Sequence, residues 1–175
     1  MATQNPIEQE GTYPLPEAQV DRFMFKCVVP LPSFEDERRI LTRFSKQTKP
    51  ETKTVLSPET LAGLRAALDR VYCDEKVSDY ILSIVFATRE PERYKLADMR
   101  NHIAFPASPR ASLFLALASR ANAMLKGRAY ATPQDVKDVA HDTLRHRIIT
   151  TYEAEAENVT SDAIVARILN EIPVP

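Results

Sequence analysis

The sequence predicts a mainly α-helical protein, in which a helical bundle follows a short segment of α/β character. Two observations lead to this fold class. After Pro30, apolar residues recur at helical spacing in several segments, and most of these segments open on a Ser, Thr or Asp that can cap a helix. The stretch from Phe23 to Val29 is instead rich in aromatic and β-branched residues and ends at Pro30, which predicts a strand.

Composition and charge exclude several classes of function. The 175 residues carry 23 Lys and Arg against 24 Asp and Glu, a net charge of -1, so nothing favours nucleic acid or an anionic membrane as partner. No apolar run approaches the roughly 20 residues that span a bilayer, and the first residues lack the features of a signal peptide. Cys27 and Cys73 are isolated, which indicates reduced thiols in a cytoplasmic protein.

The first thirty residues do not form a complete structural unit. A polar, turn-rich start leads to a short predicted helix that begins near Pro16, and the predicted strand Phe23 to Val29 follows. A single strand cannot form a sheet by itself. We therefore interpret residues 1–30 as the trailing part of an α/β domain whose remainder is not in this sequence.

The middle of the chain predicts three helices and one irregular stretch. Ser33 can cap the first helix, Ser57 followed by Pro58 opens the second, and Asp74 can cap the third. Between residues 89 and 102 the sequence is charged and irregular, which indicates a surface segment. The predicted buried faces are Leu61, Leu64, Leu68 and Val71 in the second helix, and Val77, Tyr80, Ile81, Ile84 and Val85 in the third.

Three further helices are predicted in the last seventy residues. The first begins at Ser108 and Pro109 and ends before Gly127, another begins at Thr132 and Pro133, and Ser161 can cap the last. Their predicted inner faces are Leu113, Phe114, Leu117, Ala118, Ala121 and Leu125; then Val136, Val139 and Ala140; then Ile164, Val165, Ile168 and Leu169.

Arg110 is out of place in the first turn of the Ser108 helix. The helix dipole disfavours a cation there. Free backbone N–H groups and an arginine at the same helix end can form a site for an anion such as phosphate. The alternative is an exposed arginine paired with a nearby carboxylate.

Other candidate chemistry has little support. His141 and His146 are five residues apart, which does not match helical metal ligands, and no nucleophile elbow is present. The triplet Arg145 to Arg147 could contact an anion, although a solvated basic turn is the simpler interpretation. The only glycines are Gly11, Gly63 and Gly127, so the sequence cannot form a glycine-rich phosphate loop.

Four segments together resemble the MoxR family of AAA+ ATPases. These are ATQNP, EGTYPLPEAQVDRF, SPRASLFLALASRANAMLKGRAYATPQDV and LRHRIITTYEAEAENVTSDAIVARIL, and the similarity runs along nearly the whole chain. It covers only the second half of that ATPase module, because the Walker A loop and the Walker B strand are absent. The fold that it implies is an AAA+ helical lid bundle (56–175) after a connecting helix and linker (31–55) and a short N-terminal α/β remnant of the nucleotide-binding core (1–30).

The resemblance also implies roles for three residues. Asn5 would be sensor 1, which orients the attacking water near the γ-phosphate. Arg22 would be the arginine finger, which reaches the nucleotide of a neighbouring subunit, and Arg110 would be sensor 2 on the lid. The structural alternatives are that Asn5 only stabilises its turn and that Arg22 pairs with Asp21 or Glu17.

The implied function is ATP-driven and chaperone-like. The intact protein would be a ring, expected to be hexameric, that uses ATP and Mg²⁺ to assemble or mature client proteins, which in this family are often von Willebrand A domain proteins. This chain alone, without a phosphate loop, is expected to bind no nucleotide tightly and to be inactive. The alternative is a non-catalytic protein-interaction or oligomerisation module derived from that family.

Overall fold

The computed structural model describes residues 1–4, 15–45 and 51–175, and this part of the chain is mainly helical, as the sequence predicts. The N-terminal helices are α1 (Glu17–Val20), α2 (Phe34–Phe44), α3 (Pro58–Leu68) and α4 (Glu75–Ala87). Two 3₁₀ helices follow (Pro91–Tyr94 and Ala97–His102), then β1 (Ile103–Phe105), α5 (Pro109–Leu125), α6 (Pro133–Leu144), β2 (Ile149–Thr150), α7 (Tyr152–Ala156) and α8 (Ser161–Glu171).

The helix starts follow the predicted capping residues with one shift. Each capping oxygen accepts a hydrogen bond from a backbone N–H of its own first turn, which satisfies a donor that has no partner inside the helix. At α8 the cap is Thr160, and Ser161 is the first helical residue instead of the predicted cap. The caps that match prediction are Ser33, Ser57, Asp74, Ser108 and Thr132.

The hydrophobic core lies between α4, α5, α6 and α8. The predicted apolar faces of α4 and α8 are buried, with Ile84, Val85 and Ile168 fully removed from solvent. α5 and α6 pack closely against each other. Small residues on the inner side of α5, among them Ala111 and Ala118, are buried and permit this close approach.

The predicted inner face of α5 is largely wrong. Leu113 and Leu125 are 64% and 84% exposed, and Leu117 is also exposed, whereas Ala118 is buried as predicted. The buried face instead runs through Ala111, Leu115, Ala118, Ser119 and Ala123. A face made mostly of small residues allows α5 to approach its neighbours, and three of its leucines, Leu113, Leu117 and Leu125, are exposed instead.

The charged stretch between residues 89 and 102 is not simply a surface segment. Leu96 is fully buried and Met99 nearly so, and both belong to the main core. Lys95 has a left-handed φ of 60°, which ends the first 3₁₀ helix and allows Leu96 to turn inward. The segment then enters β1, which pairs antiparallel with β2 through Ile103 and Thr150.

The segment from Phe23 to Val29 is not a strand, contrary to the sequence prediction. Its backbone bonds to helix-end groups instead of to another strand: Lys26 N donates to the carbonyl oxygen of Asp142 at 2.8 Å. Since no neighbouring strand lies beside it in the described residues, the extended backbone meets its hydrogen-bonding needs on the bundle.

Burial is concentrated in the C-terminal part of the chain. Within the described ranges no residue before Val71 is buried, and every residue of α2 is exposed. The domain boundaries at residues 30 and 55, which come from the family resemblance, remain a prediction. In the described part of the chain, none of the helices has both the length and the apolar character to cross a bilayer.

Candidate functional site

The Asp21 carboxylate joins three separate elements of the structure. Ser108 Oγ lies 3.0 and 2.9 Å from its two oxygens, Arg110 Nη1 donates to Oδ2 at 3.1 Å, and Arg147 Nε donates to Oδ1 at 3.1 Å. We call Asp21, Ser108, Arg110 and Arg147 the Asp21 cluster. It connects the turn after α1, the first turn of α5 and the turn after α6.

Local sequence explains how these side chains come together. α1 ends at Val20, and Asp21 follows as its C-terminal cap. Ser108 caps α5, and its Oγ also accepts from the Arg110 backbone N–H at 3.2 Å. The positive end of the α5 dipole therefore meets the Asp21 carboxylate, an arrangement that stabilises negative charge at that position.

The Asp21 cluster keeps its carboxylate ionised. Burial by itself would raise the pKa of Asp21, but the hydrogen bonds from Ser108 and Arg110 and the charge of Arg147 outweigh it and hold this pKa below its ordinary value. Asp21 is only 16% exposed at its side chain, so these contacts are partly shielded from water.

Arg147 is the most enclosed member of the cluster. Its side chain is fully buried and donates to the carbonyl oxygens of Asp21 at 3.0 Å and Met24 at 3.2 Å, as well as to those of Phe23 and Thr143. Its guanidinium lies 4.8 Å from the ring centre of Phe114. Burial lowers the pKa of Arg147, which nevertheless stays charged because arginine does not lose its proton in proteins.

The prediction of a solvated basic turn at residues 145–147 is therefore wrong. His146 Nε2 is 2.9 Å from the Phe23 carbonyl oxygen, and Arg145 Nη1 donates to the Lys26 carbonyl oxygen at 2.7 Å. All three side chains bind the stretch 21–26, which we call the docked segment. Sequence reasoning missed this role; the available signal was a basic triplet directly after an amphipathic helix.

His146 is held in its neutral form. Burial lowers its pKa, and the nearby charges of Arg147 and Lys26 act in the same direction against the opposing hydrogen bond with the Phe23 carbonyl. A neutral imidazole with its proton on Nε2 donates to that carbonyl. Nδ1 is then an unprotonated acceptor, buried and with no hydrogen-bond partner among the described residues.

Arg22 lies on the exposed side of the docked segment. Its side chain borders a shallow open depression with Ala18, Gln19 and Phe23. Neither of the predicted structural partners binds it: Asp21 pairs with Arg110 and Arg147, and no ion pair between Glu17 and Arg22 is found in the described structure.

Arg110 shows the contact that the structural alternative predicts. Its side chain is 50% exposed, and one terminal nitrogen pairs with Asp21. The rest of the guanidinium fork makes no hydrogen bond to a described residue, which leaves donors directed to solvent. The sensor 2 role remains a prediction, and Asn5 lies outside the described residues, so its sensor 1 role does as well.

Two family models match the two parts of the chain that meet at the Asp21 cluster. A model described as AAA lid domain matches residues 97–168, which include Arg110 and Arg147. A model described as ATPase family associated with various cellular activities (AAA) matches residues 1–25, which include Asn5, Asp21 and Arg22. The fold and the site thus define a segment of an AAA ATPase module that includes its lid.

Known proteins similar to this chain specify the family. Chaperone MoxR1 of Mycobacterium tuberculosis is 45% identical over 175 residues, covering 100% of this chain and 46% of its own length. Uncharacterized protein YeaC of Bacillus subtilis is 39% identical over 176 residues, covering 100% of this chain and 52% of its own. A crystal structure described as a putative ATPase from Cytophaga hutchinsonii superimposes with a TM-score of 0.93 at 40% identity, over 98% of this chain and 52% of that one.

The chain belongs to the MoxR family of AAA+ ATPases and corresponds to the C-terminal part of their module. It spans about half the length of the curated relatives that it matches.

Proposed function

We propose that this chain is the C-terminal part of a MoxR-type ATPase, which couples ATP binding and hydrolysis to chaperone-like assembly or maturation of partner proteins. One observation carries the proposal: a single carboxylate, Asp21, connects the segment bearing exposed Arg22 to the lid helix bearing half-exposed Arg110. In such a protein, nucleotide-dependent movement of the lid would be transmitted to the segment that faces the next subunit.

The two arginines suit the phosphates of MgATP, which supplies the phosphoryl group and the neutralising metal charge when bound. Phosphoryl transfer is catalysed mainly by positioning and by cations that meet charge on the γ-phosphate. Arg110 would bind phosphate oxygens of its own subunit with its remaining donors, and Arg22 would reach the neighbouring nucleotide in trans. Asn5 would orient the water. The chain alone, with three glycines and no phosphate loop, would be inactive.

Substitution of each arginine in the full-length ATPase tests these roles. We expect Arg22→Ala to lower kcat at least about 100-fold, in line with other arginine fingers, while the affinity for ATP changes less than about twofold because the finger acts on another subunit's site. Arg110→Gln should weaken nucleotide binding instead. Hydrolysis rates and nucleotide titrations on both variants measure this.

A matched control is Arg167→Gln. Arg167 is a half-exposed arginine of α8 that pairs with Asp98 and makes no contact with the Asp21 cluster. It should leave hydrolysis and binding unchanged. Wild-type turnover in Arg22→Ala would remove the finger assignment, and unchanged nucleotide affinity in Arg110→Gln would remove the sensor 2 assignment.

A second candidate function is a non-catalytic interaction or oligomerisation module. The exposed apolar side chains of α2 favour it: Phe34 is 73%, Leu41 71% and Phe44 58% exposed. The intact mass of the protein in its own cells separates the two candidates. A species of about the mass of this chain supports the module, and one about twice as large supports the ATPase.

The remaining parts of the proposal concern partners and location. We propose a hexameric ring and, as clients, proteins of the von Willebrand A type, on the strength of the family resemblance. The free thiols Cys27 and Cys73 favour the cytoplasm as its location.

A further inference from the structure

Arg147 binds the backbone on both sides of Arg22. Its guanidinium donates to the carbonyl oxygen of Asp21 on one side and to those of Phe23 and Met24 on the other. Arg147 belongs to the turn after α6 and has no exposed side-chain surface. Arg22, the candidate finger, is therefore attached to the bundle through its immediate neighbours in the chain.

The backbone of Arg22 itself is also fixed. Its N–H donates to the Gln19 carbonyl oxygen at 3.2 Å, which completes the turn after α1. His146 adds a second contact to Phe23 O, and Lys26 N donates to the Asp142 carbonyl oxygen. Arg22 as a residue nevertheless remains exposed to solvent.

The chemistry of the guanidinium explains why an arginine suits this position. Its five donors lie in one plane in a fixed geometry. Several carbonyls can bind such a group together only when the backbone around it adopts one arrangement. A lysine at position 147 would keep the charge, but its single ammonium group could not bind all of these acceptors with the same geometry.

We propose that Arg147 is a positioning residue for Arg22: it fixes the orientation in which the docked segment presents Arg22 to a neighbouring subunit. The inference rests on the proposed function, because it takes Arg22 as the finger. Arg147 does not contact nucleotide in this proposal. It acts only through the docked segment.

Amide hydrogen exchange on the 175-residue chain provides a test that does not depend on hydrolysis. In Arg147→Lys we expect the Lys26 amide to exchange at least about tenfold faster, because local opening becomes easier once the guanidinium bonds are lost. The amide of Ile84, in the centre of α4, should exchange as in the wild type. Arg167→Lys is the matched control and should change neither rate.

Hydrolysis by the full-length ATPase supplies the second readout. Arg147→Lys should lower kcat about tenfold or more, since small misplacements of a catalytic group are costly, while KM for ATP stays within about twofold. The double variant Arg22→Ala/Arg147→Lys should hydrolyse ATP at the rate of Arg22→Ala alone. Wild-type kcat in Arg147→Lys, or a double variant about tenfold slower than Arg22→Ala, would overturn the inference.

The outcomes separate this inference from the proposed function. If Arg22→Ala hydrolyses ATP like the wild type, the finger assignment made under the proposed function fails, and this inference fails with it. If Arg22→Ala is inactive but Arg147→Lys is fully active, only this inference fails.

A second variant is used if the Ile84 amide also exchanges faster in Arg147→Lys, because the substitution would then have loosened the core as well as the docked segment. His146→Ala removes the buried imidazole and its bond to the Phe23 carbonyl, keeps Arg147, and is followed by the same two measurements. It should accelerate exchange at Lys26 and lower kcat, each to a smaller degree. Wild-type values in both would contradict a role for docking.

Discussion

Asp135 has a carboxylate that is fully buried and fully paired. Arg128 donates to its two oxygens at 2.7 and 2.6 Å, and Thr132 donates from both its N–H and its hydroxyl. We expect Asp135→Asn to lower the free energy of unfolding by about 2 to 4 kcal/mol, because it removes one charge of a largely desolvated pair. Urea denaturation measures this, and Asp79→Asn, an exposed aspartate of α4, should stay within about 0.5 kcal/mol of the wild type.

The ionisation of Asp135 makes the stabilisation from its pair with Arg128 depend on pH. Burial would raise the pKa of Asp135, but the hydrogen bonds from Arg128 and Thr132 and the Arg128 charge outweigh it and hold this pKa far below its ordinary value. Because the pKa of Asp135 is lower in the folded than in the unfolded chain, its stabilising contribution is complete at pH values above the unfolded pKa of about 4. This contribution is lost as the pH falls below that value toward the folded pKa. The gap in stability between wild type and Asp135→Asn should therefore narrow from pH 6 to pH 3. A constant gap would contradict this assignment.

At the scale of one element, the two sides of α5 should differ sharply in the 175-residue chain. Leu115→Ala removes a fully buried side chain and should cost about 2 to 5 kcal/mol of unfolding free energy. Leu113→Ala, two residues away on the exposed side, should change it by less than about 0.5 kcal/mol. Denaturation midpoints of both variants test this. Equal losses would mean that both sides of α5 are packed.

The same helix shows what sequence reasoning can and cannot predict here. Local signals located the caps and the helix spans well, since a capping hydroxyl at Ser33 or Ser57 acts within its own first turn. The inner face of α5 could not be predicted from periodicity, because both a leucine-rich side and an alanine-rich side fit helical spacing and only close packing against α6 selects the second.

Among the candidate site residues, Arg110 was singled out by its conflict with the helix dipole, but its partner Asp21 is 89 residues away. Arg147 was missed because one of its acceptors, Asp21, is 126 residues away, and the others are backbone carbonyls, which leave no trace in a sequence.

At the scale of the whole molecule, the bundle should fold without the N-terminal residues. The main hydrophobic core runs only from Val77 to Ile172. We expect a fragment of residues 56–175 to unfold in one cooperative transition. It should be less stable than the full chain by about 2 to 4 kcal/mol, because Arg147 loses Asp21 and its carbonyl acceptors. Circular dichroism during urea denaturation measures both properties.

A companion variant identifies the source of that loss. Arg147→Met in the same fragment removes the unpaired charge and should recover part of the lost stability. In the full chain the same substitution should be destabilising, since the docked segment is then present. A fragment that melts gradually, without a transition, would show that residues before 56 are required for folding.

Because the docked segment is attached largely through its carbonyl oxygens, its amino-acid sequence can vary at position 22. Arg147 and His146 bind the backbone of Asp21, Phe23 and Met24, and a backbone carbonyl is present whatever the side chain. Position 22 can therefore accept almost any residue without a penalty in folding. Persistence of arginine there across natural variants would reflect selection on what that side chain does outside its own subunit.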